Sequence, residues 1–63
     1  MESTDDVRAS DAERDLAVER LERAAAPGRL SLEEFDRRVT AAWAATTRRE
    51  LATLTRDLPG HLW

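Results

Sequence analysis

The stretch GRLSLEEF, residues 28–35, lies near the centre of the 63-residue chain and decides how the chain folds. Its glycine favours a left-handed turn. Ser31 and Glu34 have the spacing of a capping box, in which the hydroxyl accepts from the backbone N–H three residues on and the carboxylate accepts from the cap's own N–H. Leu30 and Phe35 have the spacing of a hydrophobic staple. The stretch therefore predicts a corner between two helices and not a binding loop.

The same Ser/Thr-x-x-Glu pattern occurs three times, each time before apolar residues at helical spacing. The pairs are Ser10 with Glu13, Ser31 with Glu34, and Thr47 with Glu50. Together they predict an all-α fold, a small three-helix domain with short connections and helices at about 11–26, 32–45 and 48–57. Pro27 with Gly28 ends the first helix, and LPG at 58–60 ends the third.

The apolar positions predict which side of each helix is buried. They are Ala17, Val18, Leu21, Ala24 and Ala25 in the first helix, Leu32, Phe35, Val39, Ala42, Trp43 and Thr46 in the second, and Leu51, Leu54 and Leu58 in the third. The predicted centre of the core consists of Leu21, Phe35, Val39, Trp43, Leu51 and Leu54. We expect residues 1–8 to be a flexible N-terminal segment, 9–59 the helical domain and 60–63 a C-terminal tail.

The composition narrows the class of protein. With 41% hydrophobic and 37% charged residues, the chain is typical of a soluble domain. The absence of cysteine excludes a disulfide framework and a thiolate metal site. A net charge of −3, with arginine as the only basic residue type besides one histidine, disfavours general affinity for nucleic acid or anionic membranes. No apolar run approaches the roughly 18 residues of a transmembrane helix, and the acidic N-terminus lacks the apolar region of a signal peptide. We therefore expect a cytoplasmic chain.

No group of residues indicates catalysis. The loop before LSLEEF lacks the carboxylates of a calcium site, and His61 has no second histidine or cysteine with which to bind zinc. Glu33 and Glu34 point about 100° apart on a helix, so they cannot serve as a paired acid and base. We predict no enzyme, no catalytic residues, no metal, no cofactor and no small-molecule ligand.

Three segments together resemble the SHOCT-like domain of unknown function that recurs near the N-terminus of many actinobacterial proteins. They are RASDAERD at 8–15, GRLSLEEFDRRV at 28–39 and TRRELATLTRDLP at 47–59, in the order and spacing of that family. The resemblance implies a short helical module without assigned catalytic residues, often followed by transmembrane helices or another domain. It therefore also implies that the chain could be the cytoplasmic, membrane-proximal part of a membrane-associated protein.

The candidate partner contact is an apolar residue outside the buried stripe of the first helix. Leu16 lies roughly 140° from the middle of that stripe, at about 100° per residue, and shares this back face with Ala9 and Ala12. One exposed leucine is ordinary, but a leucine flanked by alanines can pack against a second subunit. Trp63 at the C-terminus is a further candidate contact. These residues predict a non-catalytic protein–protein interaction or oligomerisation module.

The alternative is a nucleic-acid-binding module. Arg37 and Arg38 precede the second turn between helices, and Arg48 and Arg49 follow it, an arrangement by which a helix-turn-helix meets phosphates. The two glutamates at 33–34 lie four residues before Arg37 and Arg38, in the order that favours helix-surface ion pairs. Because these pairs and the net charge weaken the alternative, we rank it second.

Overall fold

The computed structural model describes residues 7–58. Within that range the chain forms three α-helices: α1 (Asp11–Ala25), α2 (Leu32–Ala44) and α3 (Arg48–Thr55). All three pack against one another, which confirms the predicted all-α three-helix domain. Each helix ends one or two residues earlier than predicted.

Each helix begins at a hydroxyl cap, but only α1 has the complete capping box. Ser10 Oγ accepts from the Glu13 backbone N–H at 3.1 Å, and the Ser10 N–H donates to the Glu13 carboxylate at 3.0 Å. Ser31 and Thr47 likewise accept from the backbone N–H three residues on. Three hydroxyl caps are therefore confirmed.

The glutamates of the second and third pairs serve other partners. Glu34 accepts from two arginines of its own helix, Arg37 and Arg38, each at 2.8 Å. Glu50 accepts from the backbone N–H and the hydroxyl of Thr46, the residue before the cap. The prediction of three reciprocal capping boxes was thus wrong for α2 and α3, where charged or nearby donors compete for the carboxylate.

The GRLSLEEF stretch is the corner that its residues predict. Gly28 has a φ of +83°, and the N–H groups of Gly28 and Arg29 donate to the carbonyls of Ala25 and Ala24 at the end of α1. Leu30 is buried and lies in one cluster with Phe35. The left-handed turn and the staple contact therefore set how α2 leaves α1.

The core is built largely from alanine, so the helices approach closely. One cluster contains Ala9, Ala17, Ala42, Ala45 and Leu51, with Val18 and Leu54 packed against it. The other contains Leu21, Ala24 and Leu30, with Ala25, Phe35, Val39 and Leu58 packed against it. Five of the six residues predicted at the centre therefore lie in or against these clusters.

Two residues predicted to be buried on α2 are exposed. Trp43 is 51% exposed and Leu32 is 76% exposed, while Ala42 is fully buried and marks the side of α2 that faces the core. Successive helical residues are about 100° apart, so Trp43 points well away from the core when Ala42 points into it. Leu32 lies about 80° from Ala42 by the same count. Thr46 beyond the helix is exposed as well.

The chain before α1 pairs with the start of α3. Arg8 and Thr47 form an isolated antiparallel bridge, the Ala9 N–H donates to the Thr46 carbonyl at 2.9 Å, and the Arg48 N–H donates to the Val7 carbonyl at 2.9 Å. Val7 and Arg8 belong to the segment predicted to be flexible. Ala9, expected on the exposed back face, is buried by this pairing. The pairing places the first turns of α1 and α3 side by side.

Candidate protein-interaction site

An open groove of about 170 Å³ lies between α1 and α3. Each helix lines it with four residues at positions i, i+3, i+4 and i+7, which share one side of a helix. They are Glu13, Leu16, Ala17 and Arg20 from α1, and Arg48, Leu51, Ala52 and Thr55 from α3. The groove is therefore a seam between two matched rows of side chains.

The middle of the groove is apolar. Ala17 and Leu51 are buried and form its floor, whereas Ala52 is exposed. Leu16, at 44% exposure, is the large apolar side chain on its edge. The exposed leucine that the sequence analysis singles out is thus part of a concave surface shared by two helices.

The end of the groove nearest the helix starts is closed by an ion pair. Arg48 Nε donates to the Glu13 carboxylate, and the two side chains are 50% and 31% exposed. The hydrogen bond from the Ser10 backbone, more than any other interaction, lowers the pKa of Glu13, and Arg48 lowers it further. Glu13 is therefore ionised at neutral pH. Arg20, which is half-buried, lies seven residues further along the α1 row.

Ala12, another candidate contact residue, is not part of the groove lining. Ala12 is exposed one turn before Leu16 on α1. Trp63 is outside the described residues, so its predicted role stays a prediction. Sequence reasoning missed the contribution of α3 to this surface. The signal was the shared spacing of ExxLAxxR at 13–20 and RxxLAxxT at 48–55, which a comparison of the two helices would have found.

Arg38, a candidate nucleic-acid contact, is an internal clamp. Its guanidinium bonds the Glu34 carboxylate at 2.8 Å, the Leu54 carbonyl at 3.0 Å and the Asp57 carboxylate at 2.9 and 3.0 Å. The side chain is only 17% exposed. Its hydrogen bonds to Asp57 and Glu34 raise the pKa of Arg38, and the bond from Arg38 lowers the pKa of Asp57.

The four candidate arginines do not form one cluster. Arg48 and Arg49 occupy the first turn of α3, whereas Arg38 bonds Asp57 beyond the last turn of α3. An eight-residue helix is about 12 Å long, so about that distance separates the two ends. Arg37 is 72% exposed and pairs with Glu34. Arg37, Arg38 and Arg48 therefore already face carboxylates.

A second exposed apolar surface lies on α2. Leu32 and Trp43 are 11 residues apart, so they share one face of the helix and lie about 16 Å apart along it. Asp36 lies between them, within about 40° of both. Because both apolar residues were assigned to the core, sequence reasoning did not identify this surface.

Residues 7–58 hold neither a metal-binding cluster nor a membrane-spanning helix. No group of three or more His, Cys, Asp or Glu side chains is placed to hold a metal ion. None of the three helices combines the length and the apolar character required to cross a bilayer.

The comparison with known proteins identifies the family. The model of the DUF1707 SHOCT-like domain matches residues 7–59. Uncharacterized proteins of two Mycobacterium tuberculosis strains, CDC 1551 / Oshkosh and H37Rv, are each 47% identical over 53 residues, which is 84% of this chain and 26% of each relative. The chain therefore spans about a quarter of the length of these relatives. No solved structure matches it significantly. The resemblance seen in the sequence is confirmed, and the chain belongs to the DUF1707 SHOCT-like domain family.

Proposed function

We propose that this domain is a non-catalytic helical module that acts through protein–protein contact, by self-association or by docking a protein partner. The observation that carries the proposal is the groove between α1 and α3, with half-exposed Leu16 on its edge. Its volume of about 170 Å³ is close to that of engineered apolar cavities of about 150 Å³ that hold benzene. The groove therefore has room for one bulky apolar side chain.

The distribution of polarity supports contact with a helix. Interfaces typically have an apolar centre and a polar rim. Along the length of the groove, Leu16 and Ala52 lie between charged or polar side chains at the two ends. A helix that packs in such a groove contacts it through side chains at i, i+3, i+4 and i+7. The side chains on both walls of the groove have that same spacing. The rows of side chains on a partner helix can therefore fit between the two walls.

A weak contact can be enough for association if the domain is one part of a longer chain. In the relatives the matched region is about a quarter of the chain, and tethering of two modules raises their effective concentration. We propose a cytoplasmic location, membrane-proximal in family members whose longer chain carries a transmembrane segment. The module then brings partners or copies together and contributes no chemistry of its own.

The test compares two leucines on different faces. Leu16→Asp places a charge in the groove, whereas Leu32→Asp makes the same change on the exposed face of α2. Sedimentation equilibrium over a concentration series gives the mass of each variant, and circular dichroism checks that helix content is retained. We expect Leu16→Asp to abolish association and Leu32→Asp to leave it unchanged.

The opposite pattern contradicts the proposed site. If Leu32→Asp abolishes association and Leu16→Asp does not, the interface lies on α2 around Trp43. If the two variants associate as the natural chain does, neither apolar surface is the interface.

A further inference from the structure

The α1 wall of the groove is self-complementary when it is reversed. It reads Glu13, Leu16, Ala17, Arg20, with an acid at one end, a base at the other and a large–small pair between them. The two charges are seven residues apart, about 10 Å along the helix axis. A second copy placed antiparallel, with a two-fold axis between positions 16 and 17, sets each Glu13 against Arg20 of the other copy and each Leu16 against Ala17 of the other copy.

We propose that the protein partner which covers the groove is a second copy of this chain, packed antiparallel across α1 about that two-fold axis. This inference rests on the proposed function and specifies its partner. The interface is isologous, because each copy supplies the same surface and each contact occurs twice. Each Glu13 carboxylate, which already accepts from Ser10 and Arg48 of its own chain, also accepts from Arg20 of the other copy. These two contacts fix the direction and register of the helices, since parallel packing would set like charges against each other.

The α3 wall supports the same arrangement. It reads Arg48, Leu51, Ala52, Thr55, so reversal again sets the larger apolar residue against the small one. With the two-fold axis crossing both helices, α1 lies over α1 and α3 over α3 of the second copy. The two grooves then face each other, and the half-exposed Leu16 of each copy lies over the groove of the other, beside Ala17 and the exposed Ala52. No acid faces an acid in either row.

The other exposed apolar surface does not pair with itself in this way. On α2, Asp36 lies between Leu32 and Trp43 on the same face. Antiparallel pairing that brings Leu32 against Trp43 of a second copy puts the two Asp36 carboxylates near the axis, where like charges repel. Charge complementarity therefore favours α1 and its groove, rather than α2, as the surface that a second copy contacts.

The experiment uses charge reversal and remixing. Arg20→Glu sets two acids against each other in the homodimer, and Glu13→Arg sets two bases against each other. Mixing the two variants restores opposite charges at both contacts of a mixed dimer. Arg37→Glu makes the same change in charge on an exposed residue of α2 and serves as the matched control. Thermal melts of each variant separate loss of pairing from loss of folding, because Glu13 also caps α1.

Sedimentation equilibrium, carried to about 1 mM because small interfaces bind weakly, gives the outcome. We expect dimers of the natural chain, at least tenfold weaker dimers of Arg20→Glu, unchanged dimers of Arg37→Glu, and recovery on mixing Arg20→Glu with Glu13→Arg. A dimer that Leu16→Asp dissociates but Arg20→Glu does not would overturn this register and leave the proposed function standing. If the natural chain stays monomeric at every concentration, the proposal that a second copy is the partner is wrong. The partner that binds the groove would then be a different protein.

Discussion

The Arg38 guanidinium donates two parallel hydrogen bonds to the Asp57 carboxylate, at 2.9 and 3.0 Å. The same group bonds Glu34 on its own helix and the Leu54 carbonyl of α3. Because α3 has only eight residues, and isolated helices of that length are unstable in water, its position depends on contacts with the rest of the domain. Arg38 therefore ties the C-terminal end of α3 to α2.

We expect Arg38→Ala to destabilise the domain by about 1–2 kcal/mol, because it removes a two-pronged ion pair and a hydrogen bond to a backbone carbonyl at a largely buried side chain. In a domain of this size that lowers the Tm by about 4–8 °C per kcal/mol. Arg37→Ala, at a side chain 72% exposed with one ion pair, should change the free energy of unfolding by less than about 0.5 kcal/mol. Urea or thermal unfolding measures both, and equal effects would contradict the clamp.

Stability should decrease in acid. The folded structure lowers the pKa of Glu34 and of Asp57, chiefly through hydrogen bonds from Arg38, and lowers the pKa of Glu13 through the Ser10 backbone. A carboxyl with a lower pKa in the folded state contributes stability above its unfolded pKa and loses it as the pH falls through its folded pKa. The ordinary values are 4.5 for Glu and 3.8 for Asp. We therefore expect a constant Tm between about pH 7 and 5.5 and a falling Tm below about pH 4.5.

The source of that acid sensitivity can be isolated with Arg38→Ala. Without the guanidinium, Glu34 and Asp57 lose the main cause of their lowered pKa, so the fall in Tm below about pH 4.5 should be shallower in the variant. The measurement is the Tm by circular dichroism from pH 7 to 2. If Tm falls equally with pH in the two proteins, groups other than Glu34 and Asp57 cause the loss of stability in acid.

We expect glycine to be required at position 28 because of its backbone conformation, and not because a side chain there would clash. Its φ is +83°, and a Cβ at this position would have no heavy atom within 4 Å. Gly28→Ala should therefore cost about 1 kcal/mol from left-handed strain alone, and Gly28→Asn less, because asparagine tolerates that region better.

Chemical synthesis supplies the matched control for Gly28. A 63-residue chain with D-alanine at position 28 also gains one methyl group, on the opposite side of the α-carbon, but favours positive φ. It should be at least as stable as the natural chain in a thermal melt, since the methyl group also restricts the unfolded state. Equal losses of stability with D-alanine and with Gly28→Ala would show that left-handed strain is not the cause.

The sequence predicted the parts of the fold that depend on local chemistry. Hydroxyl caps and the left-handed glycine act within a few residues, so Ser10, Ser31, Thr47 and Gly28 could be assigned from the chain alone. The bridge between Arg8 and Thr47 and the clamp between Arg38 and Asp57 join distant positions. Neither pattern has a local signal, so only the structure showed them.

The error at Trp43 has a physical cause. Hydrophobic periodicity favours the larger of two neighbouring apolar residues for the core, but here the fully buried residue is Ala42. Close packing of α2 in the alanine-rich cluster leaves no room for an indole. The groove was only half predicted for a related reason: Leu16 was visible as an exposed leucine, but the α3 wall depends on how two helices lie together.

The two interpretations of Trp43 predict different mutational effects. Leu21 is completely buried, so Leu21→Ala should cost about 2–5 kcal/mol and leave so small a domain largely unfolded. Trp43→Ala, at 51% exposure, should cost about 1 kcal/mol or less. Helix content and urea midpoints of the two variants give the comparison, and similar losses would mean that Trp43 is part of the core.

The arginines test the alternative function, nucleic-acid binding. Arg38 is held by Glu34 and Asp57 at one end of α3, and Arg48 by Glu13 at the other, so phosphate contacts there would compete with existing ion pairs. We therefore expect no binding of duplex DNA or RNA by fluorescence anisotropy, even at low salt, where phosphate contacts are strongest. Binding that weakens steeply with salt and disappears in a variant with Arg48→Ala and Arg49→Ala would support the alternative instead. Arg37→Ala tests the remaining exposed arginine of the patch. Its loss leaves the Arg38 clamp between α2 and α3 intact, so any change in binding cannot come from loss of folding.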